Sequence, residues 1–137
     1  MSTSPKNSYL LLSSSDEWYK QLSQAELQEI LAANKAWVGR LIAEGKGRPG
    51  VALVREGVTV SARNVISDGP YAESKEAIGG TLTLDVATLE EAITIAKACP
   101  SLRYGGTIEI RPISGECPLE ACARTKGKAE QLTPATV

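Results

Sequence analysis

The chain contains no histidine. That one absence removes Ser-His-Asp and Cys-His nucleophilic arrangements, imidazole metal ligands and a histidine base. Cysteine is scarce, with three residues, an odd number that implies no disulfide framework. Cys99 ends an apolar helical pattern and reads as core. Cys117 and Cys122 stand close together in a C-terminal tail, and a Cys pair without His is a poor zinc site, since zinc wants four ligands. The expectation is reduced thiols without a structural role, no metal and no cofactor. Charge of one sign is also lacking: 15 basic against 16 acidic residues leave a net −1, which points to neither nucleic acid nor an anionic membrane as partner. No apolar run approaches the ~20 residues that a bilayer-spanning helix needs. Met1 to Lys6 has no apolar segment behind its charge, so a secretory signal is not expected and a cytoplasmic location follows by default.

What remains is an ordinary soluble composition, 42% apolar and 23% charged over 137 residues, enough for one domain with a real core. Residues 1–7 are polar and expected to be disordered, 8–113 carry the domain, and 114–137 form a tail with a short helix between Leu119 and Arg124. Tyr9 to Leu12 is a continuous apolar run that suits a central strand buried on both faces. Asp16 to Leu22 reads as a helical turn. Ser23 and Glu26 have capping-box spacing, with Leu22 and Leu27 placed as a hydrophobic staple. Leu27, Ile30, Leu31, Trp37, Val38, Leu41 and Ile42 then form one helical face, interrupted by Asn34, either an edge polar group or a site residue. Gly45 is a natural C′ residue.

Val51–Val54 and Val58–Val60 flank Arg55-Glu56-Gly57 and predict a hairpin. Leu82, Leu84 and Val86 alternate, which predicts a half-buried strand over 81–86. A second helix starts at Thr88, capped with Glu91, turns Leu89, Ala92, Ile93 and Ala96 inward, and stops at Cys99-Pro100. Thr107 to Arg111 alternates as the last strand. Two one-sided helices that each follow a strand belong on one face of an antiparallel sheet. The fold class is therefore α+β, with a ferredoxin-like split βαβ arrangement whose uncovered sheet face is apolar.

Between the middle strands lies the longest connection, Ser67 to Gly80. Asp68-Gly69-Pro70 is a turn with a mechanism: Asp bonds the local backbone, Gly tolerates positive φ, and Pro blocks a strand. Residues 72–78 predict a helical turn or two that Gly79-Gly80 ends. The stretch Asp68-Gly69-Pro70-Tyr71-Ala72-Glu73-Ser74-Lys75-Glu76, with Gly79-Gly80 behind it, resembles the DGPFAETKE signature of the DGPF subgroup of YCII-related proteins. Only Tyr71 for Phe and Ser74 for Thr depart from it. The resemblance runs from about Tyr9 to Ile113. It implies the same fold, assembled as a homodimer in which two sheets face each other as an α+β barrel.

For chemistry, the resemblance and the turn together single out Asp68. Partly buried, Asp68 would serve as general acid or base; otherwise it caps its own turn. Tyr71, Glu73, Lys75 and Glu76 match the motif as substrate-binding candidates. Lys75 would meet an anionic group, whereas Glu73 and Glu76 also suit a solvated helix N-terminus. Gly79-Gly80 suits a close strand approach better than a phosphate cradle. Arg111 points either into a dimer cleft or into water. The Asp-His dyad of some YCII-related proteins has no counterpart in a chain without His. Two functions stay open: a cofactor-free enzyme of lyase or isomerase type acting on a small molecule, or a non-catalytic binding or regulatory protein, linked through the family to extracytoplasmic-function sigma factor signalling.

Overall fold

The structure is a computed structural model, and it describes residues 7–14, 17–62, 65–66 and 78–132. The chain runs β1 (Asn7–Ser14), a 3-10 turn (Trp18–Gln21), α1 (Gln24–Ala43), β2 (Gly47–Ala52), β3 (Thr59–Val60), β4 (Val65–Ile66), β5 (Ile78–Val86), α2 (Leu89–Lys97), a second 3-10 turn (Pro100–Tyr104), β6 (Ile108–Pro112) and α3 (Pro118–Leu132). The main sheet has the order β2-β5-β1-β6, and its neighbouring strands pair antiparallel throughout. With α1 after β1 and α2 after β5, this is the ferredoxin-like α+β arrangement.

Local sequence chemistry sets α1 and α2. The Ser23 hydroxyl accepts from the Glu26 N–H at 3.1 Å, and the Glu26 carboxylate accepts from the Ser23 N–H at 2.9 Å, so the capping box forms in full. At the other end Gly45 takes φ +72°. Its N–H reaches the Ile42 carbonyl while that of Lys46 reaches Leu41, the paired bonds of a Schellman close that glycine accommodates without strain. Thr88 caps α2 by accepting from Glu91 N–H. Glu91 reaches back to the N–H of Ala87, one residue before the cap.

The core lies between these helices and one sheet face. Tyr9 and Leu11 of β1 stand opposite Leu84 and Leu82 of β5. With Val86 they meet Trp37 and Leu41 from α1 and Ala92, Ala96 and Cys99 from the α2 region. Leu84 is wholly buried. In α2 the inward face is Ala92, Ile95 and Ala96, whereas Leu89 and Ile93 are partly exposed. Small side chains let the short helix sit close to the sheet.

Three expectations change in tertiary context. Val58–Val60 does not return on Val51–Val54; β3 pairs with β4 instead, because β2 is taken up as an edge strand of the main sheet on β5. Ile78, Gly79 and Gly80 already belong to β5, while the rest of the helical turn expected before the glycines, residues 72–77, lies outside the described residues. The uncovered face of the sheet is mixed rather than apolar. It presents Leu10 and Leu12, but across from Thr83 and Thr81 on β5 and Arg111 and Glu109 on β6. At its far end the Arg48 guanidinium donates twice to Asp85, at 2.7 and 3.0 Å, and the Ser8 hydroxyl donates to the same carboxylate at 2.6 Å. Asp85 thereby holds the Arg48 pKa above its usual range.

β2 carries a second irregularity with consequences for the site. Its register against β5 shifts between Pro49 and Ala52. At Gly50 the backbone runs so close to Thr81 that a Cβ would fall 1.9 Å from the Thr81 carbonyl oxygen, so only glycine fits there. The Thr81 hydroxyl takes up the Val51 N–H at 3.1 Å. A bulge of this kind bends its strand.

The tail helix α3 is longer than the short helix expected, and none of its described side chains belongs to the core cluster. Two outcomes follow. Leu84→Ala should lower the unfolding free energy by about 3–5 kcal/mol, read by urea denaturation. Removing residues 125–137 should leave the melting temperature within a few degrees; a larger drop would show that the tail is part of the cooperative unit.

Candidate functional site

The helical stripe of α1 is only partly covered by the sheet. Ile30, Trp37 and Leu41 are buried, but Leu31 and Ile42 are exposed because they face a cavity rather than packed atoms. This cavity, about 620 Å³, lies between α1 and the bulged part of β2 and is walled by Leu31, Trp37, Val38, Ile42, Val51 and Leu82. Its surface is mainly apolar.

A second cavity of about 470 Å³ adjoins it, more polar than the first, with polar and apolar surface in about equal parts. Ser13, Asn34 and Ser101 line both spaces, so the two form one site with an apolar body and a polar end. The polar end is built by elements distant in sequence: Ser13 and Ser14 end β1, Glu17 and Trp18 open the first 3-10 turn, Arg55 and Glu56 follow β2, Gly79 lies at the start of β5, and Ser101 sits in the second 3-10 turn. A hydrogen bond from the Leu53 N–H to the Gly79 carbonyl at 2.8 Å ties two of these walls together. Trp18 stacks on Tyr104, with ring centroids 6.4 Å apart and planes 8° apart.

Glu17 is the electrostatic hub of the polar end. It receives the Arg55 guanidinium at 3.2 Å and is ion-paired with Lys20. Lys20, and next Arg55, hold the Glu17 carboxyl below the usual glutamate range. Its backbone sits at φ +59°, the left-handed region, alone among the described non-glycine residues. Such a conformation costs a side-chain-bearing residue on the order of 1–3 kcal/mol and persists only where its surroundings impose it.

Two polar atoms at this end have no partner among the described residues. They are the Asn34 side-chain oxygen and the Arg55 Nε–H, both shielded from solvent. Asn34 lies in the apolar stripe of α1, four residues after Ile30 and three before Trp37, so the helix itself aims it at the sheet side. Among the described residues no three His, Cys, Asp or Glu side chains converge on a metal position, and no helix is long and apolar enough to cross a membrane.

Asp68, Tyr71, Glu73, Lys75 and Glu76, the residues singled out by the motif, lie outside the described residues. Of the other residues noted in the sequence, Asn34 is in the site and Gly79 and Gly80 are in its walls, while Arg111 lies on the uncovered sheet face opposite Leu10, ion-paired with Glu109 at 3.6 Å. The thiols are free, with Cys99 buried at the apolar cavity and Cys117 and Cys122 exposed. Glu17, Arg55, Ser13 and Ser101 were not legible as site residues. The one available signal for Arg55 and Glu56 was their place beside Val51–Val54, and nothing local marks Glu17 as left-handed.

The Glu17 environment predicts an ordered response to mutation. A carboxylate whose folded pKa is depressed favours the folded state above its unfolded pKa, and that contribution is lost as the pH falls through the folded value. Lys20→Gln should therefore bring the Glu17 titration, followed by carboxyl NMR, back toward the ordinary glutamate range, and Arg55→Gln should do so less. The opposite ranking would show that Arg55 dominates the pair.

Comparison with known proteins places this geometry in a family. A family model described as "YCII-related domain" matches residues 9–116. An uncharacterised protein of Rhizobium meliloti (strain 1021) is 30% identical over 128 residues, covering 80% of this chain and 98% of its own length. Among solved structures, a hydantoinase/carbamoylase family amidase from Burkholderia ambifaria overlaps 80% of this chain but 27% of its own, with 10% identity and a TM-score of 0.31, a likeness too slight to bear on fold or function. The family match covers most of the chain, from the first core strand past the last, and the chain belongs to the YCII-related family.

Proposed function

We propose that the chain binds a small organic molecule in the joined cavities and that Asp68 acts on it as general acid or base, without metal or cofactor. The observation that carries this reading is the join itself: an apolar space and a polar space that share Ser13, Asn34 and Ser101. Concave sites with apolar walls and a few convergent polar groups are the usual form of small-molecule sites. The motif match supports the assignment of Asp68, and sequence position supports Lys75 and Glu76 as its neighbours at the site. Lys75 and Glu76 precede Gly79, a wall residue of the polar end, by three and two intervening residues, a span that covalent geometry limits to about 14 Å. The same motif supports placing the chain in the DGPF subgroup, with Tyr71, Glu73, Lys75 and Glu76 as substrate contacts.

Assembly as a homodimer in the cytoplasm completes the reading. The uncovered sheet face, with Leu10 and Leu12 at its centre and charged residues around them, supports a sheet-to-sheet contact. Light scattering at micromolar concentration would return a dimer mass; a monomer would remove this part of the proposal.

Asp68→Asn tests the chemistry. Asn keeps the turn hydrogen bonding, so stability should stay within about 1 kcal/mol. Turnover of whatever molecule NMR finds to be converted should fall by roughly 10²–10⁴-fold. An Asp68→Asn protein as active as the wild type would end the catalytic assignment. A molecule that binds both proteins and is changed by neither would leave a non-catalytic binding or regulatory protein.

A further inference from the structure

The apolar cavity carries one charge, and that charge selects the class of molecule it takes, on the reading above that the joined cavities hold a small molecule. We infer that the ligand is an amphipathic monocarboxylate, an aliphatic or aryl chain with one acid group. Its chain lies in the cleft between α1 and the bulged part of β2, and its carboxylate meets the Lys35 ammonium.

Helix geometry places the lysine. Leu31, Lys35, Val38 and Ile42 follow one another at spacings of four, three and four, so they share one flank of α1, and all of them line the apolar cavity. Among the described residues Lys35 is the sole charge in that lining. It is exposed and forms no ion pair among the described residues. Nothing close to it offers one. A helical lysine usually finds its carboxylate three or four residues away; here those positions are Leu31, Ala32, Val38 and Gly39. The facing wall, Pro49 to Ala52 and Gly80 to Leu82, is uncharged as well. A cation at the edge of an apolar cleft is complementary to an apolar chain that ends in an anion.

The charges of the adjoining cavity lie apart from this pairing. Glu17, Arg55 and Glu56 line the polar cavity and not the apolar one, and Arg55 is paired with Glu17 at 3.2 Å. Glu56 is exposed and has no ion pair among the described residues, so a cationic head at the polar end is the alternative that a test must separate.

Gly39 gives an independent sign that a chain lies along this flank. Glycine inside a helix is unfavourable relative to alanine, and a Cβ at position 39 would meet nothing within 4 Å. No packing within the chain therefore asks for glycine there. Gly39 lines the apolar cavity, and a ligand resting on the helix backbone does gain from the missing side chain. The chain supplies the affinity through apolar burial, and Lys35, a rim contact in water, selects the head.

Three probes share one body and differ in the head: 4-phenylbutyrate, 4-phenylbutyramide and 4-phenylbutylamine, titrated at neutral pH by amide NMR shifts. At low salt the carboxylate should bind roughly two- to fivefold tighter than the amide, and tighter still than the amine, with shifts on α1 and β2. The lead should vanish in about 1 M sodium chloride. Lys35→Gln should bring the carboxylate down to the affinity of the amide and leave the amide unchanged. Gly39→Leu, which fills the flank, should weaken all three probes while raising the melting temperature by about 3–5 °C. Equal binding of the three, or a preference for the amide or the amine, overturns the carboxylate assignment and leaves the cavity reading standing; an amine preference that Glu56→Gln removes puts the head at the polar end instead. A carboxylate preference that survives in Lys35→Gln, or binding untouched in Gly39→Leu, overturns the assignment too. If none of the three binds, both the assignment and the cavity reading fall.

Discussion

The contact on which the rest of the molecule depends is the seating of Trp37 and Leu41 from α1 on Leu11, Leu82 and Leu84 of the sheet. It buries the middle rows of β1 and β5, the two inner strands, and so holds the order β2-β5-β1-β6 together. Hydrophobic burial contributes on the order of 1.5–3 kcal/mol per large side chain. The seating is also lopsided. The Gly45 close turns the chain sharply into β2, with Gly47 pressed against Leu41. Along its length α1 is packed on the face that carries Ile30, Trp37 and Leu41 and open on the flank that carries Leu31, Val38 and Ile42, and that flank lines the candidate site.

An apolar cleft open to water would ordinarily be a liability, since its side chains are left unburied. Here the cleft is organised. Its polar end gathers a strained Glu17, a shared ion pair and two unpartnered polar atoms from elements far apart in sequence. Conformational strain and unmet hydrogen bonds concentrate where a protein binds something. Their coincidence here, with no other buried side-chain polar atom unpartnered among the described residues and with α1 and α2 capped, is the physical argument for a ligand site. The opposite sheet face has a different character. The Ser8, Arg48 and Asp85 cluster is internally satisfied, and Leu10 and Leu12 are only half-buried.

Much of the fold was legible because its signals are local. The Ser23-to-Glu26 spacing, the glycine at 45, the alternation of Leu82, Leu84 and Val86 and the stop at Cys99-Pro100 each act within one or two turns of chain, where covalent geometry and hydrogen bonding leave few choices. The errors fell where a competing partner from elsewhere won. Val51 to Val54 has a hairpin pattern, yet the preceding residues, Gly47 to Ala52, found more ladder on β5, and Val58 to Val60 was left for β4. Leu89 and Ile93 have the periodicity of a buried face, but Ala92 and Ala96 allowed closer approach and took the core.

By itself, the sequence determined the α+β class, the two capped helices, the central strands, the exclusion of histidine chemistry and the family. It also marked Asn34 as an interruption in an apolar stripe, since a polar group there is visible without coordinates. Only the tertiary structure decided what that interruption faces. Glu17, Arg55, Ser13 and Ser101 become neighbours through strand pairing and helix seating across tens of residues, and no local pattern encodes that meeting. Nor does composition foretell a left-handed backbone at Glu17 or a bulge at Gly50, because both are imposed by contacts that exist only once the sheet has closed.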